Sequence, residues 1–82
     1  MYELIFSDLA LKQLKKLERA TSARIVQALE RIRIRPESHV KKLVGELGYR
    51  FRVGDYRVIL TIDQGKLAIL IIKIGHRSTI YD

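Results

Sequence analysis

The C-terminal stretch of the chain, GHRSTIYD, groups side chains that can transfer protons and bind anions. His76 carries an imidazole, Arg77 a guanidinium and Tyr81 a phenol, shortly after the apolar run Leu67–Ile72. An imidazole exchanges protons near neutral pH, and a guanidinium suits bidentate contact with phosphate. The stretch is compatible with a loose tail, a final edge strand over residues 79–81 or the corner of an active site.

A second set of cations lies on predicted strands at about 49–53, 56–63 and 66–74. Because side chains alternate between the faces of a strand, Arg50 and Arg52 point away from Phe51 and Val53. The same rule buries Val58, Leu60 and Ile62 and leaves Arg57, Ile59, Thr61 and Asp63 on the other face. On the last strand it buries Ala68, Leu70, Ile72 and Ile74 and leaves Leu67, Ile69, Ile71 and Lys73 opposite.

The elements before these strands set how the sheet is covered. Tyr2–Phe6 is predicted as a short strand, and Ser7 as the cap of a helix with an apolar stripe of Leu9, Leu11, Leu14 and Leu17. Ser22 is predicted to cap a second helix that ends before Pro36. The order predicts an α+β fold: a short N-terminal strand, an antiparallel helical hairpin and a three-strand antiparallel meander.

Two helices cover only one face of such a sheet. The other face then carries Arg50, Arg52 and Arg57 with Lys73, beside a patch of leucine and isoleucine. Exposed, this mixture predicts a binding surface, with cations for phosphates and aliphatic side chains for a protein partner.

The composition bounds the class of protein. The chain has 82 residues and a net charge of +7, which predicts one domain over residues 1–82 and favours an anionic partner. No cysteine is present, which excludes disulfides and thiolate zinc sites and suits a reducing cytoplasm. We expect no secretory signal, and the apolar run Leu67–Ile72 is too short to span a bilayer as a helix.

The stretch YRFRVGDYRVILTIDQGKLAILIIKIGHRSTIY, Tyr49 to Tyr81, resembles the RelE toxins of prokaryotic toxin–antitoxin pairs, within the RelE/ParE superfamily. The resemblance is carried by a basic-x-basic pair, GDYRVI, an apolar strand and GHR-x-x-x-Y, in this order. The N-terminal strand and helical hairpin fit the family layout, so the resemblance covers essentially the whole chain. It implies a curved sheet like that of small microbial ribonucleases, and cleavage of messenger RNA in the ribosomal A site.

The family's functional positions fall, residue by residue, on Arg50, Arg52, Arg57, Arg77 and Tyr81. The resemblance implies a ribonuclease without metal or cofactor, in which a 2′-hydroxyl attacks the adjacent phosphorus. Arginines suit phosphate binding better than proton abstraction, since a guanidinium keeps its proton far above neutral pH. Tyr81 and His76 remain for proton transfer, and Tyr81 is favoured. Alternatively, ribosome-bound geometry of the substrate supplies much of the rate.

Further contacts follow from the same interpretation. The predicted RNA-binding residues are Arg50, Arg52, Lys73, His76, Lys41 and Lys42, and the predicted antitoxin-binding residues are Ile59, Ile69 and Ile71. His39, in the loop after Pro36, is expected at the surface near the RNA backbone. The expected partners are a cognate RelB-like antitoxin, in a hetero-oligomer with a toxin that is monomeric alone, and the ribosome with its mRNA.

Other interpretations stay open. The arginine face and the helix lysines are also compatible with plain solvated surfaces, and Arg57 with structural pairing to Asp55 or Asp63. The resemblance extends to the ParE branch, whose members act on DNA gyrase, and to a non-catalytic RNA-binding remnant. The sequence departs from the familiar pattern where Arg50 and Arg52 replace lysines and where Leu60 replaces a tyrosine after YRVI.

Overall fold

The structure, a computed structural model, describes residues 1–79. Its helices and strands follow the order β1 (Glu3–Phe6), α1 (Asp8–Lys16), α2 (Arg19–Arg31), a 3₁₀ turn (Pro36–Ser38), β2 (Lys41–Lys42), β3 (Tyr49–Val53), β4 (Tyr56–Asp63) and β5 (Ala68–His76). The predicted α+β order is confirmed, with β2 as an additional strand. The predicted final strand lies outside the described residues except for Thr79, which belongs to a turn.

The strands form one open mixed sheet in the order β1-β5-β4-β3-β2. Neighbours from β2 to β5 pair antiparallel, which confirms the predicted meander, whereas β1 pairs parallel to β5 through Glu3 and Ala68. A parallel pair requires a crossover connection, and the two helices begin it. The first strand of the sequence therefore lies beside the last described one.

Local sequence explains the helix boundaries in part. The Ala10 N–H donates to Ser7 Oγ (3.0 Å), so Ser7 caps α1 as predicted. The prediction that Ser22 caps α2 is wrong, because this helix begins at Arg19 and the Ser22 N–H donates to the Glu18 carbonyl oxygen (2.9 Å) inside its first turn. No helix within residues 1–79 is long and apolar enough to cross a membrane.

The core lies between the helices and one face of the sheet, called here the covered face. Helix α1 packs against β5 and β1, and α2 contacts β3. On α1 the buried residue is Ala10, whereas Leu9 and Leu11 of the predicted stripe are exposed. The buried cluster consists of Ala10, Ile25, Leu29, Ile32, Val53, Val58, Leu60, Ile69, Ile71 and Ile74.

A β-bulge in β5 changes which of its side chains are buried. Ile59 pairs with Lys73, but the next residue of β4, Leu60, pairs with Ile71, so Ile72 is the additional residue. One extra residue moves the side chains on one side of the bulge to the opposite face. Ile71 therefore lies on the same face as Ile74, although three positions separate them.

The face assignment of β5 from strict alternation is consequently wrong for residues 68–72. Ile69 and Ile71 are 0% exposed in the core, and Leu70 is 40% exposed on the other face. Ile59 does lie on the other face, but it is only 4% exposed because Leu43 and Ile72 pack against it. The exposed antitoxin-binding patch predicted from Ile59, Ile69 and Ile71 is therefore not formed by these side chains.

Helix α1 replaces β1 as the neighbour of β5 where β1 ends. The Ser7 N–H donates to the Ile71 carbonyl oxygen (2.9 Å), and Ser7 Oγ donates to that of Ile72 (2.5 Å). Two residues further, the Ile74 N–H donates to Gln13 Oε1 (2.6 Å). Polar groups of Ser7, the cap, and of Gln13, inside α1, thus satisfy backbone groups along and beyond the bulge.

Candidate functional site

The face of the sheet opposite the helices, called here the open face, carries cations in two adjacent rows. In the first row Lys41, Arg50, Ile59 and Lys73 are register partners across β2, β3, β4 and β5. In the second row Arg52 pairs with Arg57, and Arg57 with Gly75. Neighbouring strands are about 4.8 Å apart, so these side chains form one contiguous basic surface.

A cavity of about 190 Å³ opens on this face, called here the basic groove. It is lined by His39, Lys41, Arg50, Arg52 and Arg57. None of these five residues carries a carboxylate, and all can donate hydrogen bonds to an anion. Their arrangement suits a phosphate or another oxyanion that accepts several charge-assisted hydrogen bonds.

The pairing of Arg52 with Arg57 is unfavourable for the fold alone. Like charges directly opposite on neighbouring strands destabilise a sheet. Arg52 is held in place, since its Nε donates to the Gly54 carbonyl oxygen (3.1 Å). Gly54 adopts a positive φ of 59° in the β3–β4 turn, and the Arg24 guanidinium of α2 lies beside it. The structure thus concentrates positive charge at this end of the sheet, which is consistent with an anionic ligand.

Arg77 follows β5 directly, in the turn over residues 77–79. Its N–H donates to the Asp55 carbonyl oxygen (2.8 Å), which extends the β4–β5 ladder by one pair past Tyr56 and His76. Tyr81, predicted from the sequence as a catalytic residue, lies outside the described residues.

His76 lies on the covered side of the sheet rather than in the groove. It pairs with Tyr56, and the two rings meet edge to face with centroids 5.5 Å apart. Its Nδ1 accepts from the Ser78 N–H (3.2 Å) and lies 2.8 Å from Ser78 Oγ. The structure therefore separates His76 from Arg57, although the two residues are close to Gly75 in the sheet.

The predicted lysines divide between the two faces. Lys41 lines the groove, and Lys73 lies on the open face beside Ile59 without lining the groove. Lys42 pairs with Tyr49, whose side chain packs on the core, so Lys42 points to the covered side at the edge of the sheet. Of the predicted RNA-binding residues, Arg50, Arg52 and Lys41 are brought together.

His39 is the groove residue whose position the sequence predicted least well. The signal was present in the alternation of His39, Val40 and Lys41, in which Val40 packs against the core. The alternation is too short to indicate a strand, because β2 has only two residues. Both flanking side chains consequently face the groove.

A small network holds the 3₁₀ turn that precedes His39. Gln64 Nε2 donates to Glu37 Oε1 (3.2 Å), which is the main cause that lowers the pKa of the Glu37 carboxyl. Tyr2 Oη donates to the same oxygen (3.4 Å), and the pKa of Tyr2 is raised by loss of solvent and by the charge of Glu37. The turn is thereby tied to β1 and to the β4–β5 connection.

Two further observations restrict the candidate sites. A depression of about 440 Å³ is lined by Glu37, Tyr49, Ile62, Asp63 and Gln64, and its two carboxylates do not suit an anionic ligand. Within residues 1–79, no cluster of three or more His, Asp or Glu side chains could hold a metal ion. The basic groove is therefore the best candidate for a functional site in the part of the chain that the structure describes.

Comparison with known proteins identifies the family of this chain. The sequence model of the ParE toxin of the type II toxin–antitoxin system, parDE, matches residues 4–81. The chain belongs to this family and is a toxin of the RelE/ParE superfamily, which confirms the superfamily that the GDYRVI and GHR motifs predicted. None of the curated proteins compared gives a match.

Solved structures with the same fold come from RelE toxins. One of them is a chain of a RelBE toxin–antitoxin complex from Mycobacterium tuberculosis, with 28% sequence identity and a TM-score of 0.86. The alignment covers 94% of the present chain and 92% of the M. tuberculosis chain. A chain of the intact E. coli RelBE complex has 25% sequence identity and a TM-score of 0.80, and the alignment covers 93% of the present chain and 96% of the E. coli chain. A chain of the archaeal RelE–RelB complex from Pyrococcus horikoshii OT3 has 27% sequence identity and a TM-score of 0.76, and the alignment covers 96% of the present chain and 98% of the archaeal chain.

Proposed function

We propose that this toxin is a ribosome-dependent endoribonuclease that cuts messenger RNA in the A site and thereby inhibits translation in the cytoplasm. The observation that carries the proposal is the basic groove, in which Arg50, Arg52 and Arg57 converge with Lys41. RNA cleavage by a 2′-hydroxyl requires cations around the phosphate, and the groove supplies them without a carboxylate among its lining residues.

The proposed roles follow from the chemistry of each side chain. Arg50, Arg52 and Arg57 bind the phosphate at which the chain is cleaved, and they stabilise the negative charge of the phosphorane oxygens. Arg77 adds a further phosphate contact from the turn that follows β5. Tyr81 takes part in proton transfer, since arginine gives up its proton too reluctantly for that role.

We also propose a RelB-like antitoxin as the cognate partner. The similar structures from M. tuberculosis, E. coli and P. horikoshii are toxins in complex with an antitoxin. The net charge of +7 favours an antitoxin segment with acidic side chains that neutralises the basic groove. Bound there, such a segment excludes RNA from the groove.

The test is primer extension on translated mRNA with purified toxin and ribosomes. We expect A-site cuts from the wild type and a loss of about 100- to 1,000-fold in rate for Arg57→Ala, the effect typical of removing one preorganised charge stabiliser. Arg31→Ala is the matched control, because Arg31 is an exposed arginine at the end of α2, on the helices. Equal activity of Arg57→Ala and the control contradicts the role of the groove.

A second candidate function is inhibition of DNA gyrase, as in the ParE branch. It is favoured by the ParE family model, which matches residues 4–81. In this alternative the arginines of the open face contact protein or DNA without RNA chemistry. Blocked supercoiling by gyrase at toxin concentrations that leave ribosome-bound mRNA intact replaces the first proposal with this one.

A further inference from the structure

We propose that His39 is the general base of the basic groove: it accepts the proton of the attacking 2′-hydroxyl. This inference rests on the proposed ribonuclease function and deepens it, because the function itself assigns no base. His39 lines the same cavity as Arg50, Arg52 and Arg57, and its side chain is exposed to an entering substrate.

The strand order and the cavity lining place His39 at the β2 end of a row of arginines. The β2–β3 pairing ends at Lys41 and Arg50, and His39, two residues before Lys41, lines the same cavity as Arg52. Arg52 pairs with Arg57, and Arg57 with Gly75. An imidazole at this end reaches a phosphate held by the arginines from one side.

The backbone at His39 is anchored on both sides. Pro36, at the start of the 3₁₀ turn, is buried, and the His39 N–H donates to the Pro36 carbonyl oxygen (3.1 Å). Val40 packs against the core, and Glu37 is held by Gln64 and Tyr2. The imidazole is therefore presented from a fixed backbone, as a base that must meet one hydroxyl requires.

The inventory of donors and acceptors singles out this residue. Guanidinium and ammonium groups have hydrogens to donate and no lone pair to accept with, whereas a neutral imidazole presents one free ring nitrogen. Among the five lining residues, His39 is consequently the one side chain that can accept a proton. The other histidine, His76, lies on the covered side of the sheet, with its Nδ1 engaged by Ser78.

The position at the end of the row fits an in-line displacement. The imidazole nitrogen accepts the 2′-proton while the bond from the 2′-oxygen to phosphorus forms, and the bond from phosphorus to the 5′-oxygen breaks. The 5′-oxygen receives a proton from Tyr81, in the role proposed above, and both side chains afterwards exchange protons with water. The products are a 2′,3′-cyclic phosphate and a 5′-hydroxyl.

Nucleophile and leaving group lie on opposite sides of the phosphorus in such a reaction. The row of arginines has His39 at one end, and its other end, at Gly75, leads within two residues to Arg77. Tyr81 follows Arg77 by four positions in the sequence. A base at the β2 end of the row can therefore accept the 2′-proton while the leaving group departs on the opposite side of the phosphorus.

The experiment is single-turnover cleavage of ribosome-bound mRNA by wild type, His39→Gln and His76→Gln. General-base catalysis contributes about 100- to 10,000-fold, so we expect a rate loss of that size for His39→Gln. His76→Gln is the matched control and should stay within about threefold of the wild type, since a structural ring contact does not enter the chemical step. Binding of an mRNA with a 2′-deoxy nucleotide at the cleavage site should be unchanged in both variants.

Chemical rescue separates a base from a structural residue. Free imidazole should restore part of the activity of His39→Ala, with the cyclic phosphate as the product. A His39→Gln rate within about threefold of an active wild type overturns the assignment and leaves the ribonuclease function standing. A loss that imidazole does not restore overturns it as well. If the wild type produces no cuts, both proposals fall together.

Discussion

The two faces of the sheet are built from the same strands but differ in what holds them. On the covered face, Val58, Leu60 and Ile71 interlock with the helices and exclude water. On the open face, Arg52 and Arg57 meet as register partners, and only Leu43, Ile59 and Ile72 form a small second cluster. The covered face stabilises the fold, whereas the open face places like charges close together, which is less favourable for stability.

The difference shows where a site can be placed on a small domain. An 82-residue chain has little stability to spare. The basic groove is placed where side chains project from strands whose other face is already packed. Substitutions on the open face can therefore change ligand binding while the core keeps the sheet in register.

The first way to break this contrast is a pair of neighbouring substitutions in β5. Ile71→Ala should reduce the free energy of unfolding by about 2–5 kcal/mol, because the side chain is fully buried and leaves a cavity. Leu70→Ala, on the open face, should cost less than about 1 kcal/mol. Urea denaturation of both variants measures the difference. Similar losses of stability would contradict the bulge and the burial of Ile71 that follows from it.

A second prediction concerns the helix side chain that completes the bulge. Gln13→Leu removes the acceptor of the Ile74 N–H and should destabilise the fold by about 1–3 kcal/mol. Gln27→Leu, at an exposed position of α2, is the control and should change stability by about 0.5 kcal/mol or less. Hydrogen exchange at the Ile74 amide should accelerate in the first variant alone. Unchanged exchange there would mean that α1 does not support the strand.

The third prediction has the smallest effect on stability. Arg52→Gln removes one of two paired like charges but also the hydrogen bond to Gly54, so the free energy of unfolding should change by about 0.5 kcal/mol or less. The same change should weaken RNA binding and reduce its salt dependence by about one phosphate contact. Arg31→Gln should alter neither quantity. A variant that loses both stability and binding would show that Arg52 has a structural role.

The sequence predicts a face correctly where polar and apolar residues alternate. Arg50 and Arg52 were assigned correctly because Phe51 lies between them, and Arg57 because Val58 and Leu60 define the buried face. Residues 67–72 are all apolar, so periodicity carries no information about the bulge. That bulge depends on Ser7 and Gln13, which lie far away in the sequence.

The groove was predictable only in part for a similar reason. Its arginines follow from strand alternation, and the GDYRVI motif indicated the superfamily. His39 depends on the pairing of Lys41 with Arg50, in a strand of two residues that no propensity would reveal. Position 39 becomes part of the site through tertiary structure, because β2 closes the edge of the sheet next to β3.

The place of β5 in the sheet has a consequence for synthesis of the protein. Strand β5 pairs with β1 on one side and with β4 on the other. Residues 3–6 can therefore form their strand pairing only after residues 68–71 have been synthesised. Contacts of such sequence separation form late in folding. While the chain is still being translated, the sheet lacks the strand that joins its two parts. We therefore expect the basic surface to mature only after β5 has left the ribosome.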